Sequence, residues 1–213
     1  MIAFAALIHW GWELDPKPDL GRVEIGGGIS LPTYMSGPLS HAWWAMVVLL
    51  AVAASLYACL VFSYLYLWLV SPQVWPQSLP SPAWPGVAAG ALLLSSAIAG
   101  WCNRRLSTDR SIVPLWLAIP FLVAAFVANL VSLPTPPAQN SYGAIIHAFA
   151  VLDGFFVACA TVLAVFALAR ERAGRLDRVR RVTFDNARLF WHYTVAQTLA
   201  GLAVVHGFPR LVA

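Results

Sequence analysis
Asp153 stands in the middle of HAFAVLDGFFVACATV, an apolar run that carries no other acid. An ionisable group at bilayer depth costs at least about 2.5 kcal/mol, so it normally faces other helices and finds a partner there. His147 lies six residues earlier, roughly 600° around an α-helix, so the two side chains project about 120° apart. They share no site without a third element. Two readings of Asp153 stay open: a proton relay, or an acid, neutral or charged, that hydrogen-bonds to a Ser, a Thr or the backbone of a neighbouring span. The second candidate is His192, set between aromatics in LFWHYTVAQ. A buried His can serve as a metal ligand, a proton relay or a hydrogen-bonded wedge. A metal needs three or four converging ligands. The remaining histidines, His9, His41, His147 and His206, are expected at different depths from His192. The sequence therefore predicts no metal site and no catalytic or cofactor-binding residue in this chain. It predicts His192 as a hydrogen-bonded residue at an inner interface, with Trp191 and Tyr193 as interface or lipid head-group contacts. No nucleophile elbow, P-loop or zinc motif occurs. Cys59, Cys102 and Cys159 are far apart and read as small buried hydrophobes.

The elements that must position these residues follow from composition. Hydrophobic residues make up 60% of the chain and charged residues 10%, with a mean hydropathy of +0.73. A soluble domain carries about 25% charged residues, so the expectation is an all-α, polytopic membrane bundle. Five runs are long enough to span: about 42–70, 84–103, 112–133, 142–169 and 189–208. The first, at roughly 43 Å as a helix, exceeds the hydrocarbon core and should tilt or project. Pro114 falls in the first turn of the third run, and Pro120 falls inside it and should kink it. In the second run, Gly86 with Gly90 and Ser96 with Gly100 have the four-residue spacing that lets helices approach closely. The opening MIAFAALIHWGWELD has no basic n-region and no cleavage-site pattern, and its apolar stretch is too short to span.

Charge orients the bundle. Two connections, SPQVWPQSLPSPAWP and PTPPAQNS, are proline-rich and uncharged. The other two hold Arg104, Arg105 and Arg110, and then Arg170, Arg172, Arg175, Arg178, Arg180, Arg181 and Arg188. With Lys17 and Arg22, twelve of the thirteen basic residues fall on one side of a five-span arrangement. By the positive-inside rule that side is cytoplasmic, which places the N-terminus inside and the C-terminus outside. The basic pI is thus a membrane-surface signal and not one for nucleic acid. Arg178, Arg180 and Arg181 are candidates for phospholipid head groups or a subunit interface. Tyr64, Tyr66, Trp68, Trp75 and Trp84 at one end, and Trp43 and Trp44 at the other, have the placing of interfacial belts. The stretch from Glu13 to Pro38 reads as a cytoplasmic loop with some order.

Three segments carry a resemblance. Asn186 through Phe190-Trp191-His192-Tyr193 is similar to the start of the last helix in subunit III of haem–copper cytochrome c oxidases. SLYACLVFSYLYLWLVSPQVWP resembles that subunit's aromatic third helix and the loop after it, and Leu152-Asp153-Gly154 resembles its penultimate helix. IHWGWELDPKPDLGR with GGGISLPTYMSGPLSHAWWAM resembles the junction of fused subunits I and III. The resemblance implies two parts: residues 1–39, the tail of the last subunit I helix plus a cytoplasmic linker, and residues 40–213, a five-helix subunit III domain. It implies a non-catalytic accessory subunit of aerobic respiration in the bacterial inner membrane. Such a subunit packs on subunits I and II, which carry the haem and copper, holds phospholipid, and supports proton uptake. The chain departs from the family at two places. Ser55-Leu56-Tyr57 lacks the family's Glu after a Ser, and Gly154 precedes Phe155 and Phe156 where the family often has Gly-x-His. The roles of those groups do not carry over. A subunit III-like partner of a nitric oxide reductase and a small independent transporter centred on Asp153 are the alternatives.

Overall fold
The structure, a computed structural model, describes His9 and residues 22–32, 35–75 and 81–212. The expected subunit I tail lies almost wholly outside those residues. A short antiparallel hairpin opens the described part, with β1 (Arg22–Glu24) against β2 (Ser30–Pro32). Gly26, Gly27 and Gly28 all adopt positive φ in its turn, a conformation that glycine reaches without steric cost.

Five helices follow: α1 (His41–Val70), α2 (Ala83–Ser107), α3 (Leu115–Val131), α4 (Ser141–Arg172) and α5 (Val182–Leu202). A π-helical stretch, Ala203–Gly207, carries α5 into the short α6 (Phe208–Val212). Four of these elements are long and apolar enough to cross a membrane: α1, α2, α4 and the continuous Val182–Val212. The fifth expected span, α3, is a shorter apolar helix of 17 residues, or about 26 Å. Pro114 sits just before α3, and Pro120 lies within it.

Each boundary has a local cause. The Asn140 side chain accepts from Gly143 N at 2.8 Å and caps α4, satisfying one of the orphan amides of a helix start. At the other end of α4, Gly174 takes φ 68°. Gly174 N donates to Glu171 O, and Arg175 N to Arg170 O, the paired bonds of a Schellman ending. Asp177 then accepts from the Val179 and Arg180 amides and pairs with the Arg180 guanidinium at 2.6 Å. Burial works to raise the Asp177 carboxyl, but the Arg180 and Val179 bonds outweigh it and hold it below the usual carboxylate range. The last helix starts seven residues before the apolar run, because Phe184 and Ala187 already pack inward there.

Burial shows which helix is central. On α1 only Leu50, Ala53, Tyr57 and Tyr64 are buried, a narrow stripe at three- and four-residue spacing. On α2 the buried positions are Ala88, Leu92, Ser95, Ala99, Cys102 and Leu106, again one seam. By contrast, α5 is covered over much of its circumference and packs on α1, α2 and α4. The α2–α3 hairpin closes one side, and α3 bears on α4. The glycine pair of α2 does not serve this packing. Nothing approaches a Cβ built on Gly86, Gly90 or Gly100, and the seam runs along the alanine face instead.

The expected aromatic belt is divided. Tyr64 and Trp75 are buried in an edge-to-face cluster with Trp68, Tyr142, Phe149 and Phe208, with Tyr64 and Trp75 4.9 Å apart, while Tyr66 and Trp84 stay exposed. At the basic end, Arg181 pairs with Asp185 at 2.8 Å and reaches Asn103 Oδ1 at 2.5 Å and Ser107 Oγ at 3.3 Å. It thereby ties the start of α5 to the end of α2. Replacing Arg181 with Gln removes the cation that is hydrogen-bonded to Asp185, which is only 6% exposed. Thermal unfolding in detergent should show a loss of about 3 kcal/mol. Wild-type stability would contradict the clamp.

Candidate functional site: a polar cluster around Asp153
Asp153 lies near the midpoint of α4, 1% exposed. Asn129 Nδ2 of α3 donates to Oδ2 at 3.4 Å, and Gln197 Nε2 of α5 donates to Oδ1 at 3.4 Å. Both bonds are longer than the usual 2.7–3.2 Å range of N–H···O bonds, so they are weak. Thr198 on α5 stands beside the same carboxylate, its hydroxyl buried. Tyr57 of α1 completes the cluster. A Cβ on Gly201 would collide with Tyr57 Oη and would lie 3.7 Å from Asp153 Oδ2, so the phenol and the carboxylate share the bare backbone face of Gly201. Four helices thus converge on one acid. Among the described residues no cation forms an ion pair with it.

Gly154, the neighbour of Asp153, has its own packing reason. A Cβ there would meet Phe126 Cζ at 2.8 Å, so glycine lets α3 close on α4 and brings Asn129 within reach. Towards the proline-loop end, His206 Nε2 bonds Ser132 Oγ at 3.0 Å, and Ser132 Oγ donates to Asn129 O at 2.6 Å. Arg210 Nη1 donates to the His206 carbonyl. His206 sits in the π-helical stretch, where the extra residue per turn leaves backbone groups free, a feature frequent at functional sites.

The other expected residues disperse. His147 bonds its own helix, Nδ1 to Gly143 O at 2.9 Å, and does not meet Asp153. His192 Nδ1 pairs with Ser96 Oγ of α2 at 2.8 Å, the hydrogen-bonded wedge between helices. Trp191 is only 1% exposed and its Nε1 is buried without a partner, so it cannot reach a lipid head group or another subunit. It fills the core because the start of α5 is covered on both sides by α2 and α4. Tyr193 is half-buried, its ring 5.6 Å from that of Phe156. Of the three candidate arginines, Arg178 is exposed, Arg180 is held by Asp177 and Arg181 faces inward. Among the described residues, no group of three or more His, Cys, Asp or Glu is gathered that could hold a metal ion.

Sequence reasoning singled out the acid and missed its partners. Asn129, Gln197 and Thr198 are polar residues inside apolar runs, which is the signal that marked Asp153. Tyr57 and Gly201 gave none, because their role exists only across the α1–α5 contact. No family model matches the chain, and no curated protein matches it. The long apolar helices define a multi-pass helical membrane protein.

The cluster can bind or hold a charge and can lock helices together. Its steric keystone is testable. Gly201→Ala should destabilise the protein by about 1–3 kcal/mol, and adding Tyr57→Phe should restore most of that loss in thermal unfolding. Equal losses in both backgrounds would show that Tyr57 Oη is not what the methyl group meets.

Proposed function
We propose that this chain is an accessory, non-catalytic subunit of a haem–copper oxidase of the subunit III type. It crosses the bacterial cell membrane five times, with its N-terminus in the cytoplasm. The observation that carries the reading is where the three motif segments lie in the bundle. Tyr64, Trp68 and Trp75 of the first segment pack on Tyr142 and Phe208. Asp153 and Gly154 of the second meet α5 and α3. Phe190 and His192 of the third meet Phe156 and Ser96. Several of the residues that carry the resemblance are therefore ones that hold these helices together, which supports the reading.

Three further features favour the reading. With Ile112–Pro114 and Leu133 added, α3 gains the length of a fifth span. Most of α1 is uncovered, with Val48, Val52, Leu56 and Phe62 all more than half exposed, a face for lipid or for the large subunit that carries haem and copper. Exposed Arg178, with Arg104 and Arg110, places positive charge on the side where proton uptake begins in such complexes. Of the three candidate arginines, Arg181 serves the fold, so Arg178 is the one to neutralise when testing proton uptake.

The test is a pull-down of the tagged chain from native membranes in mild detergent, followed by a reduced-minus-oxidised visible spectrum. A copurifying large membrane subunit with haem bands is the expected result, and band positions distinguish an oxidase from a nitric oxide reductase. A stable chain recovered without haem or partner would contradict the reading.

A further inference from the structure
The Asp153 cluster has more oxygen than its hydrogen bonds use. Tyr57 Oη and Gln197 Oε1 are buried and make no hydrogen bond, and Thr198 Oγ1, equally buried, stands at the Asp153 carboxylate without a bond of good geometry. Their residues are 6%, 5% and 1% exposed. Buried polar atoms in folded proteins are nearly always satisfied, and an unsatisfied group signals a missing ion, water or function. The two unsatisfied atoms, Tyr57 Oη of α1 and Gln197 Oε1 of α5, belong to side chains beside one carboxylate from α4, with Thr198 against it. The Gln197 amide already touches that carboxylate through Nε2, so Oε1 sits on the same side chain at the same place. Tyr57 Oη is held there by the bare face of Gly201.

This set suits a hard, singly charged guest. Oxygen donors select hard cations over soft ones. A single carboxylate cancels one positive charge, and a divalent ion would leave net charge in a medium that penalises it. The groups facing Asp153 are neutral on every packed element: Tyr57 on α1, Asn129 on α3, and Gln197 and Thr198 on α5. We propose that Asp153, Tyr57, Gln197 and Thr198 form a buried binding site for one monovalent cation, H⁺ or Na⁺, at the junction of α1, α4 and α5. A bound cation brings the cluster to zero charge and joins the loosely covered α1 to the central helix. An open groove of about 430 Å³ between α1 and α5 includes Tyr57 and Gln197 in its wall, so two members of the site also border the bundle surface. The inference does not depend on which partner the chain has.

The experiment uses the full chain purified in detergent at neutral pH, with NaCl compared against choline chloride. Infrared spectra of wild type and Asp153→Asn report the protonation of the carboxyl, and thermal unfolding reports sodium binding. A protonated-carboxyl C=O band present in wild type and lost in Asp153→Asn, with no sodium effect, supports the site with H⁺ as its guest. A midpoint that rises with NaCl but not with choline chloride, in wild type alone, supports Na⁺. Thr198→Val, which keeps shape and removes one oxygen, should weaken Na⁺ binding by about fivefold, the equivalent of one hydrogen bond. It is read as a shift in the NaCl concentration at half-effect, or in the frequency of the carboxyl C=O band when H⁺ is the guest, and it serves if Asp153→Asn does not fold. An ionised Asp153 in wild type with identical midpoints in the two salts would overturn the proposal.

Discussion
The bundle is organised around one electrostatic problem, a carboxyl group buried at mid-depth with no ion-pair partner among the described residues. The effective penalty for such a charge is several kcal/mol, and the sequence around it is shaped to reduce that penalty. Asn129 and Gln197 turn their amides to the acid from two helices. Gly201 is bare where Tyr57 Oη approaches, and Gly154 is bare where Phe126 brings α3 in. Removing any one of these features alters the distance between helices, so polarity and packing are not separable at this point. The position of α5 follows from the same demand. It carries Gln197 and Thr198 on a face that lipid would penalise and leads directly into His206, and it is the helix most enclosed by others.

Helix existence was legible in the sequence, and helix relations were not. The apolar runs located α1 and α4 to within a few residues, because length and hydropathy are local properties. The start of α5 was missed, since VTFDNAR is polar enough to read as loop. Its helicity comes from Phe184 and Ala187 packing inward and from Arg181 bridging Asp185 to α2. Trp191 illustrates a second limit. Trp next to a polar residue near a helix start reads as an interfacial anchor, and only its neighbours on α2 and α4 make it core. Tyr64 and Trp75 fail the belt expectation for the same reason, while Tyr66 and Trp84 stay exposed. The alternating charge of the connections, in contrast, is additive along the chain and needs no tertiary information.

The unequal covering of the helices links fold to role. α1 contributes one narrow stripe to the interior and leaves the rest apolar and open, and the glycine side of α2 is likewise uncovered. A bundle of this kind has two large faces for lipid or for a neighbouring subunit, and an interior polar cluster of which two members border the bundle surface. An accessory subunit that packs laterally on a catalytic one has use for both properties.

The account's central claim is that α5 is the enclosed polar helix and α1 the open apolar one. Single cysteines placed at positions 194, 197, 198 and 201 of α5 and at 48, 52 and 56 of α1, in a background lacking Cys59, Cys102 and Cys159, test it through labelling by a lipid-soluble and a water-soluble thiol reagent. The account predicts that the α5 positions resist both reagents while the α1 positions react with the lipid-soluble one. Ready labelling of the α5 positions, with protection along α1, would contradict it.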